Sequence, residues 1–439
     1  MKIKSLIKHI VHPSSSFSSS SSSSSLSNND QIMPRYYTRL LLFYEKGQGV
    51  ASPLLKRSLS HALAFFPPLA GRFRERSDGG VDIQCSDGGV EFWEASAEGR
   101  LREFGDFQPN ADFLQLSPVT FRSSISETPI LLIQVTEFEC GGVALLIGMH
   151  HHAGDGLSLM HFITTWTEIA TGKQVSLIPS LDRTPLKARD PATPMFQHVE
   201  YRLGIPTIPD FRPPMTAKNF TFNAEHIQIL KQKAGEGVSF APTKYEAVAS
   251  YLWRSITKAR DLASSQVIKV GMAVDGRNRF NPPLPDGYFG NVNFYGCAIS
   301  EAGKLIQQPL SYATSCIHDA VKRIDDKYMR SALDWVEQQD SPLSILPGFC
   351  SCLGVDLGMT SWIRFPLYEF DFGWGRPVFA TIPVAAVDGL IVLLPSSTEG
   401  AINASIGLLE QHMAKLEQEI ELFYETLGGA DRSGGDPRS

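Results

Sequence analysis

The chain has 439 residues, of which 43% are hydrophobic and 20% charged, so it can bury large cores; its length suggests roughly two or three domains. A formal charge of −6 argues against a nucleic-acid binder, which normally shows a basic stripe, and means that an anionic ligand must meet local cations. No apolar stretch approaches the roughly 20 residues needed to cross a bilayer, and Cys85, Cys140, Cys297, Cys316, Cys350 and Cys352 lack the spacing of a zinc site or a disulfide framework. Reduced thiols in an intracellular protein are expected.

The first 29 residues hold no acid, carry Lys2, Lys4 and Lys8, and include eight serines from Ser18 to Ser25. That composition suits either a transit peptide or a short strand, Lys2 to Val11, followed by a serine-rich loop over 13–25. The second reading is preferred; it keeps the strand in the fold and the protein in the cytosol. Leu55, Leu59, Ala62, Leu63 and Phe66 then predict an amphipathic helix from Ser52, stopped by Pro67-Pro68. Ile130–Phe138 and Val143–His151 read as two buried strands joined at Cys140-Gly-Gly142. Leu159, Phe162, Ile163, Trp166 and Ile169 predict a helix from Leu157 to Ala170, in which His161 is structural.

From about Leu177 to Pro214 the chain is proline-rich and aperiodic, which suggests a crossover between two lobes. Beyond it, Thr243-Lys-Tyr-Glu246 forms a capping box, Val267–Val274 predicts a strand, and Leu409, Met413, Leu416, Ile420, Phe423 and Leu427 predict a last helix. The expected organisation is an α/β chain with lobes at 1–190 and 221–428, a linker at 191–220 and a disordered tail at 429–439.

His150-His-His-Ala-Gly-Asp-Gly156 follows the apolar run and carries the most chemistry. An imidazole at a strand end is a natural general base, and on a strand His150 and His152 share one face while His151 takes the other. Asp155, between two glycines, can fix the turn without touching substrate. A metal site would need a second ligand cluster with recognisable spacing, and a serine hydrolase would need a closing glycine after Gly156-Leu-Ser158. Three structural histidines ending a buried strand remain compatible with the segment alone.

Near the C-terminus stands Asp371-Phe372-Gly373-Trp374-Gly375, whose composition suits a tight, ordered loop. Together, HxxxD and DFGWG in this order resemble the plant BAHD acyltransferases, and the likeness extends through Leu26-Ser-Asn-Asn-Asp-Gln31, Pro68-Leu-Ala-Gly-Arg72 and Tyr288-Phe-Gly-Asn291. The resemblance implies two similarly folded chloramphenicol-acetyltransferase-like lobes with a solvent channel between them. It also implies acyl-CoA as co-substrate, a small-molecule acceptor, no cofactor and no metal, in a cytosolic monomer that binds neither nucleic acid nor membrane. By the same analogy His151 is the general base, Asp155 beside Gly156 is a structural aspartate paired with Arg277, and Asp371 organises its loop, although its motif is sometimes called catalytic.

Ser180-Leu-Asp-Arg-Thr184, Ala188-Arg-Asp-Pro191 and Phe196-Gln-His-Val-Glu-Tyr201 are similar to the shikimate and quinate hydroxycinnamoyltransferases. That likeness assigns Thr360 and Trp362 to the acceptor and the developing oxyanion, and Thr38, Leu40 and Leu42 to the donor pocket. Two departures stand out. Pro347 occupies the place of an arginine that holds the acceptor's carboxylate, and Leu40 and Leu42 replace a small polar residue and a tyrosine. N-acylation, intramolecular cyclisation of the donor and a non-catalytic binding role are the alternatives to O-acylation.

Overall fold

Val143-Ala-Leu-Leu-Ile-Gly-Met-His150 is buried along its whole length, as a near-continuous apolar run must be when both faces of a strand are covered. A computed structural model describes residues 1–15, 23–47, 49, 51–86, 88–110, 112–118, 122, 124–204, 213–349, 354–383 and 387–428. This run is strand β8 (Val143–His150), third from one end of a six-stranded sheet. The sheet order is β1 (Lys2–Val11), β6 (Val90–Glu98), β7 (Leu131–Phe138), β8, β3 (Tyr37–Tyr44) and β15 (Phe379–Thr381). Only β6 and β7 run parallel; every other neighbouring pair is antiparallel.

The second sheet also has six strands: β10 (Met215–Phe222), β17 (Ile402–Leu409), β16 (Leu390–Pro395), β14 (Leu357–Ser361), β11 (Val267–Asp275) and β12 (Asn293–Glu301). Strand β14 runs parallel to both its neighbours. Two smaller units complete the pairing: β2 (Ser23–Ser24) with β5 (Val81–Gln84) and β4 (Arg72–Glu75), and a ribbon of β9 (Tyr201–Leu203) with β13 (Ile345–Pro347).

Helices Ala51–Ala62 and Gly156–Ala170 bury Leu55, Leu59, Phe162, Ile163 and Trp166 in the core of the first sheet, and the Trp166 indole donates to Ser58 Oγ at 3.0 Å. Helices Ala224–Gly235, Lys244–Ala259, Leu310–Lys322 and Glu410–Gly428 close a separate core on the second. The expected capping box is present: Thr243 Oγ1 accepts from Glu246 N at 3.1 Å, and Glu246 Oε2 accepts from Thr243 N at 2.8 Å.

The N-terminal strand pairs antiparallel with β6 from Lys2 to Val11. Of the serine-rich loop, residues 16–22 lie outside the described residues, as does the tail 429–439. Two features bear on the expected lobes at 1–190 and 221–428. The expected linker 191–220 contains β9 and the start of β10. After β14 the chain also returns to the first lobe, where Trp362, Leu367, Phe370 and Phe372 enter its core and Ala380 of β15 pairs with Leu42 of β3. Apolar side chains at these positions find their burial against the first sheet, so residues 362–381 belong to the first lobe in space and to the second in sequence.

Candidate active site

β8 ends at His150, and in the turn that follows the imidazoles part company. His150 and His152 are each 2% exposed, stack at 5.3 Å and lie against Phe73, whose ring centroid is 4.7 Å from that of His150. His151 is half-buried; its backbone N–H donates to Tyr36 O at 2.9 Å and its ring meets Tyr36 edge-on at 5.5 Å. Its Nδ1 lies 3.0 Å from Oδ1 of Asn291, just ahead of β12. An amide oxygen only accepts, so Nδ1 carries the proton and Nε2 keeps its lone pair. Burial pulls the His151 pKa below the ordinary imidazole value, against the opposing effects of Asp155, the Asn291 hydrogen bond and Asp30. A neutral ring with a free Nε2 is the form a general base needs.

Asp155 caps the helix Gly156–Ala170, accepting from Ser158 N at 3.0 Å. Arg277, two residues past β11, grips both its oxygens at 2.8 and 2.9 Å, and Val292 N donates at 2.9 Å. These four donors use the acceptor sites of the carboxylate, so Asp155 binds the lobes together and has no lone pair left for an imidazole. Burial alone would raise its pKa, yet Arg277 and the backbone donors hold it below the usual carboxylate range. Trp362, just past β14, approaches the same turn. A Cβ on Gly156 would stand 2.8 Å from the Phe365 ring and 3.4 Å from Trp362 Nε1, so only glycine admits this approach. Thr360 is half-buried two residues earlier.

Asp371 lies elsewhere. Its Oδ1 accepts from Gly373 N at 2.7 Å and Gly375 N at 3.0 Å, closing a loop whose glycines take φ of 107° and 114°. Phe372 packs on Trp166 at 4.9 Å and Trp374 on Tyr44 at 5.8 Å. Tyr44 pairs with Val143 at the start of β8, whereas Tyr37 pairs with His150 at its end. Eight residues of strand separate these ends by roughly 23 Å. Asp371 therefore organises a loop and stands too far away to share the proton of His151.

The model of the transferase family matches residues 1–423. The chain belongs to this family, that of the BAHD acyltransferases. It is an acyl-CoA-dependent acyltransferase. A shikimate O-hydroxycinnamoyltransferase of Nicotiana tabacum is 40% identical over 412 residues, covering 90% of this chain and 94% of the relative. A hydroxycinnamoyl-CoA:5-hydroxyanthranilate N-hydroxycinnamoyltransferase of Avena sativa is 38% identical over 421 residues, covering 89% and 93%. The crystal structure of vinorine synthase superposes with a TM-score of 0.75 at 23% identity, covering 94% of this chain and 96% of that one, which establishes the shared fold.

Within this acyltransferase the sequence-assigned pocket residues are only partly gathered. Leu40 and Leu42 share the core of Trp362, Met149 and Val392, but both are fully buried in it and line no open wall. Thr38 is buried beside Met149 in register. Pro347 is exposed on the β9–β13 ribbon, where its carbonyl accepts from Arg202 Nε at 3.3 Å. Among the described residues no three His, Cys, Asp or Glu side chains are grouped to hold a metal, and no helix is long and apolar enough to cross a membrane. Asn291, Asp30 and Arg183 were not identified from sequence as site chemistry. Their available signals were the Ser27-x-x-Asp30 capping box and the Tyr288-Phe-Gly-Asn291 and Ser180–Thr184 segments.

Proposed function

We propose that this acyltransferase moves a hydroxycinnamoyl or other aromatic acyl group from CoA to the hydroxyl of a small acceptor, with His151 as general base. The observation that carries the reading is the His151–Asn291 contact at the junction of the lobes, which leaves Nε2 as the proton acceptor. Nε2 takes the acceptor's hydroxyl proton as the oxygen attacks the thioester carbon. The C–S bond then breaks, the thiolate takes the proton back from the imidazolium, and an ester and free CoA leave. Trp362 Nε1 and the Thr360 hydroxyl are the side-chain donors available to the oxyanion and the acceptor.

Both lobes of a single chain supply this network, so a monomer suffices, and no step calls for a metal. The place of β1 in the sheet supports retention of the N-terminus and a cytosolic enzyme. The Avena relative, which acylates an amine, supports N-acylation as a second reading; the same base serves a protonated amine, and Pro347 offers no side-chain cation to a shikimate carboxylate. His151→Ala should lose about 10²- to 10⁴-fold in turnover with an unchanged melting temperature. Thiol release from p-coumaroyl-CoA, with shikimate, simple alcohols or aryl amines as acceptors, measures it; full turnover by the folded variant would refute the base.

A further inference from the structure

We infer that Asp30, on the short helix Asn28–Gln31, is a positioning residue for the base: through Asn291 it sets the tautomer of His151. The inference rests on His151 as general base and adds what holds the imidazole ready. Asn291 is fully buried, and its carboxamide has two possible orientations that fill the same space. Its Nδ2 donates to Asp30 Oδ1 at 2.8 Å and to His151 O at 2.7 Å. A carboxylate and a carbonyl only accept, so the amide nitrogen must face them and the amide oxygen must face the His151 ring. Reversed, the amide would set oxygen against two acceptors and N–H against Nδ1, driving the ring to the Nε2–H form, which has no lone pair for the acceptor's proton.

Asp30 is held for this task. It has no exposed surface, and Oδ1 also accepts from Asn291 N at 2.8 Å. Its Oδ2 accepts from Ser27 N at 2.9 Å, Ser27 Oγ at 2.7 Å and Arg183 Nε at 3.0 Å. Arg183 NH2 in turn donates to Ala153 O at 3.1 Å, two residues past the base. Arg183, Asp30 and Asn291 thus form a chain of fixed polarity that ends on Nδ1. Each link is buried, and each can be satisfied in one sense only.

In Asp30→Asn the side chain keeps its size but must turn an NH2 group toward either Arg183 or Asn291. Repulsion from the cationic guanidinium outweighs that from the neutral Asn291 backbone N–H and sends it toward Asn291, whose amide then reverses and gives up its bond to His151 O. Nitrogen NMR of histidine-labelled protein reads the result directly. Wild type should show His151 as the Nδ1–H tautomer, and Asp30→Asn a shift to Nε2–H, with kcat reduced about 10²- to 10⁴-fold and the KM for the CoA thioester unchanged. Asn291→Leu should give the same kcat, and the double variant should be no slower than Asn291→Leu alone, because Asp30 acts through Asn291. A folded Asp30→Asn protein with the wild-type nitrogen pattern and turnover would overturn the inference, as would additive losses in the double variant. Should Asp30→Asn fail to fold, Asn291→Leu decides: retention of both the Nδ1–H pattern and turnover would overturn it. Failure of the base itself is read separately, from full turnover in His151→Ala, while the nitrogen pattern still reports on the relay.

Discussion

His150 and His152 bring two imidazoles into a core where no charge is welcome, and the cost falls on the acid side of neutrality. Burial, then the Arg35 cation, pushes His152 from its ordinary 6.5 down to about 4, and burial holds His150 well below its ordinary value. The folded protein keeps both rings neutral while the unfolded chain binds protons below pH 6.5. Stability from them is therefore complete above that pH and lost as pH falls toward the folded values, by about 3 kcal/mol for His152 alone. Urea midpoints measured between pH 7.5 and 4.5 should fall steeply in wild type and less so in His152→Leu; parallel curves would contradict it. The Asp155–Arg277 pair makes a different demand. Asp155→Ala leaves a buried guanidinium without its main partner and should cost about 3–5 kcal/mol, read as a lowered melting temperature. His151 and Asp155 were legible in the sequence because they stand four residues apart in one turn. Asn291 and Asp30 were not, since a lone polar residue has no period and the two stand 261 positions apart in the chain.

At the level of elements, legibility followed length. The run of β8 and the spacing of Gly156–Ala170 and Glu410–Gly428 announced themselves, because each repeats its period several times. Strands β9, β13 and β15 have three residues each, too few for any alternation to register, and it is these that tie the crossover to Ile345–Pro347 and the segment after β14 to β3. The crossover owes its path to a buried knot that no periodicity signals. His198 bridges Glu200 Oε1 at 2.8 Å and Ser331 Oγ at 2.9 Å, and Tyr328 donates to Glu200 Oε2 at 2.7 Å. This ties the segment before β9 to helix Asp326–Glu337. Tyr328→Phe removes one donor from a buried carboxylate and should destabilise by about 1–3 kcal/mol, visible as a shift in the urea midpoint. An unchanged midpoint would mean that Glu200 does not depend on that hydroxyl.

For the whole molecule, the candidate site is a product of both lobes: the turn after β8 carries His151, the loop between β11 and β12 brings Arg277 and Asn291, and the chain just past β14 brings Trp362. Neither half of the sequence contains it. Residues 1–204 alone should form insoluble material, because their sheet lacks β15 and their core lacks Trp362, Phe370 and Phe372. Co-expression with residues 205–439 should restore a soluble complex on gel filtration. A monodisperse, protease-resistant 1–204 fragment would show that the first lobe is self-sufficient.

The strap that ends in β15 also bears on how the chain is made. The first lobe is synthesised early, yet its sheet is not closed until Thr381 has left the ribosome, roughly 180 residues after position 204, or about 10–35 s at ordinary rates of elongation. Through that interval the β3 edge, with Leu41 and Phe43 along it, has no partner strand. The nascent protein is thus a natural client for a chaperone that shields an unpaired apolar edge, and slower translation would lengthen its exposure without altering one contact of the finished fold.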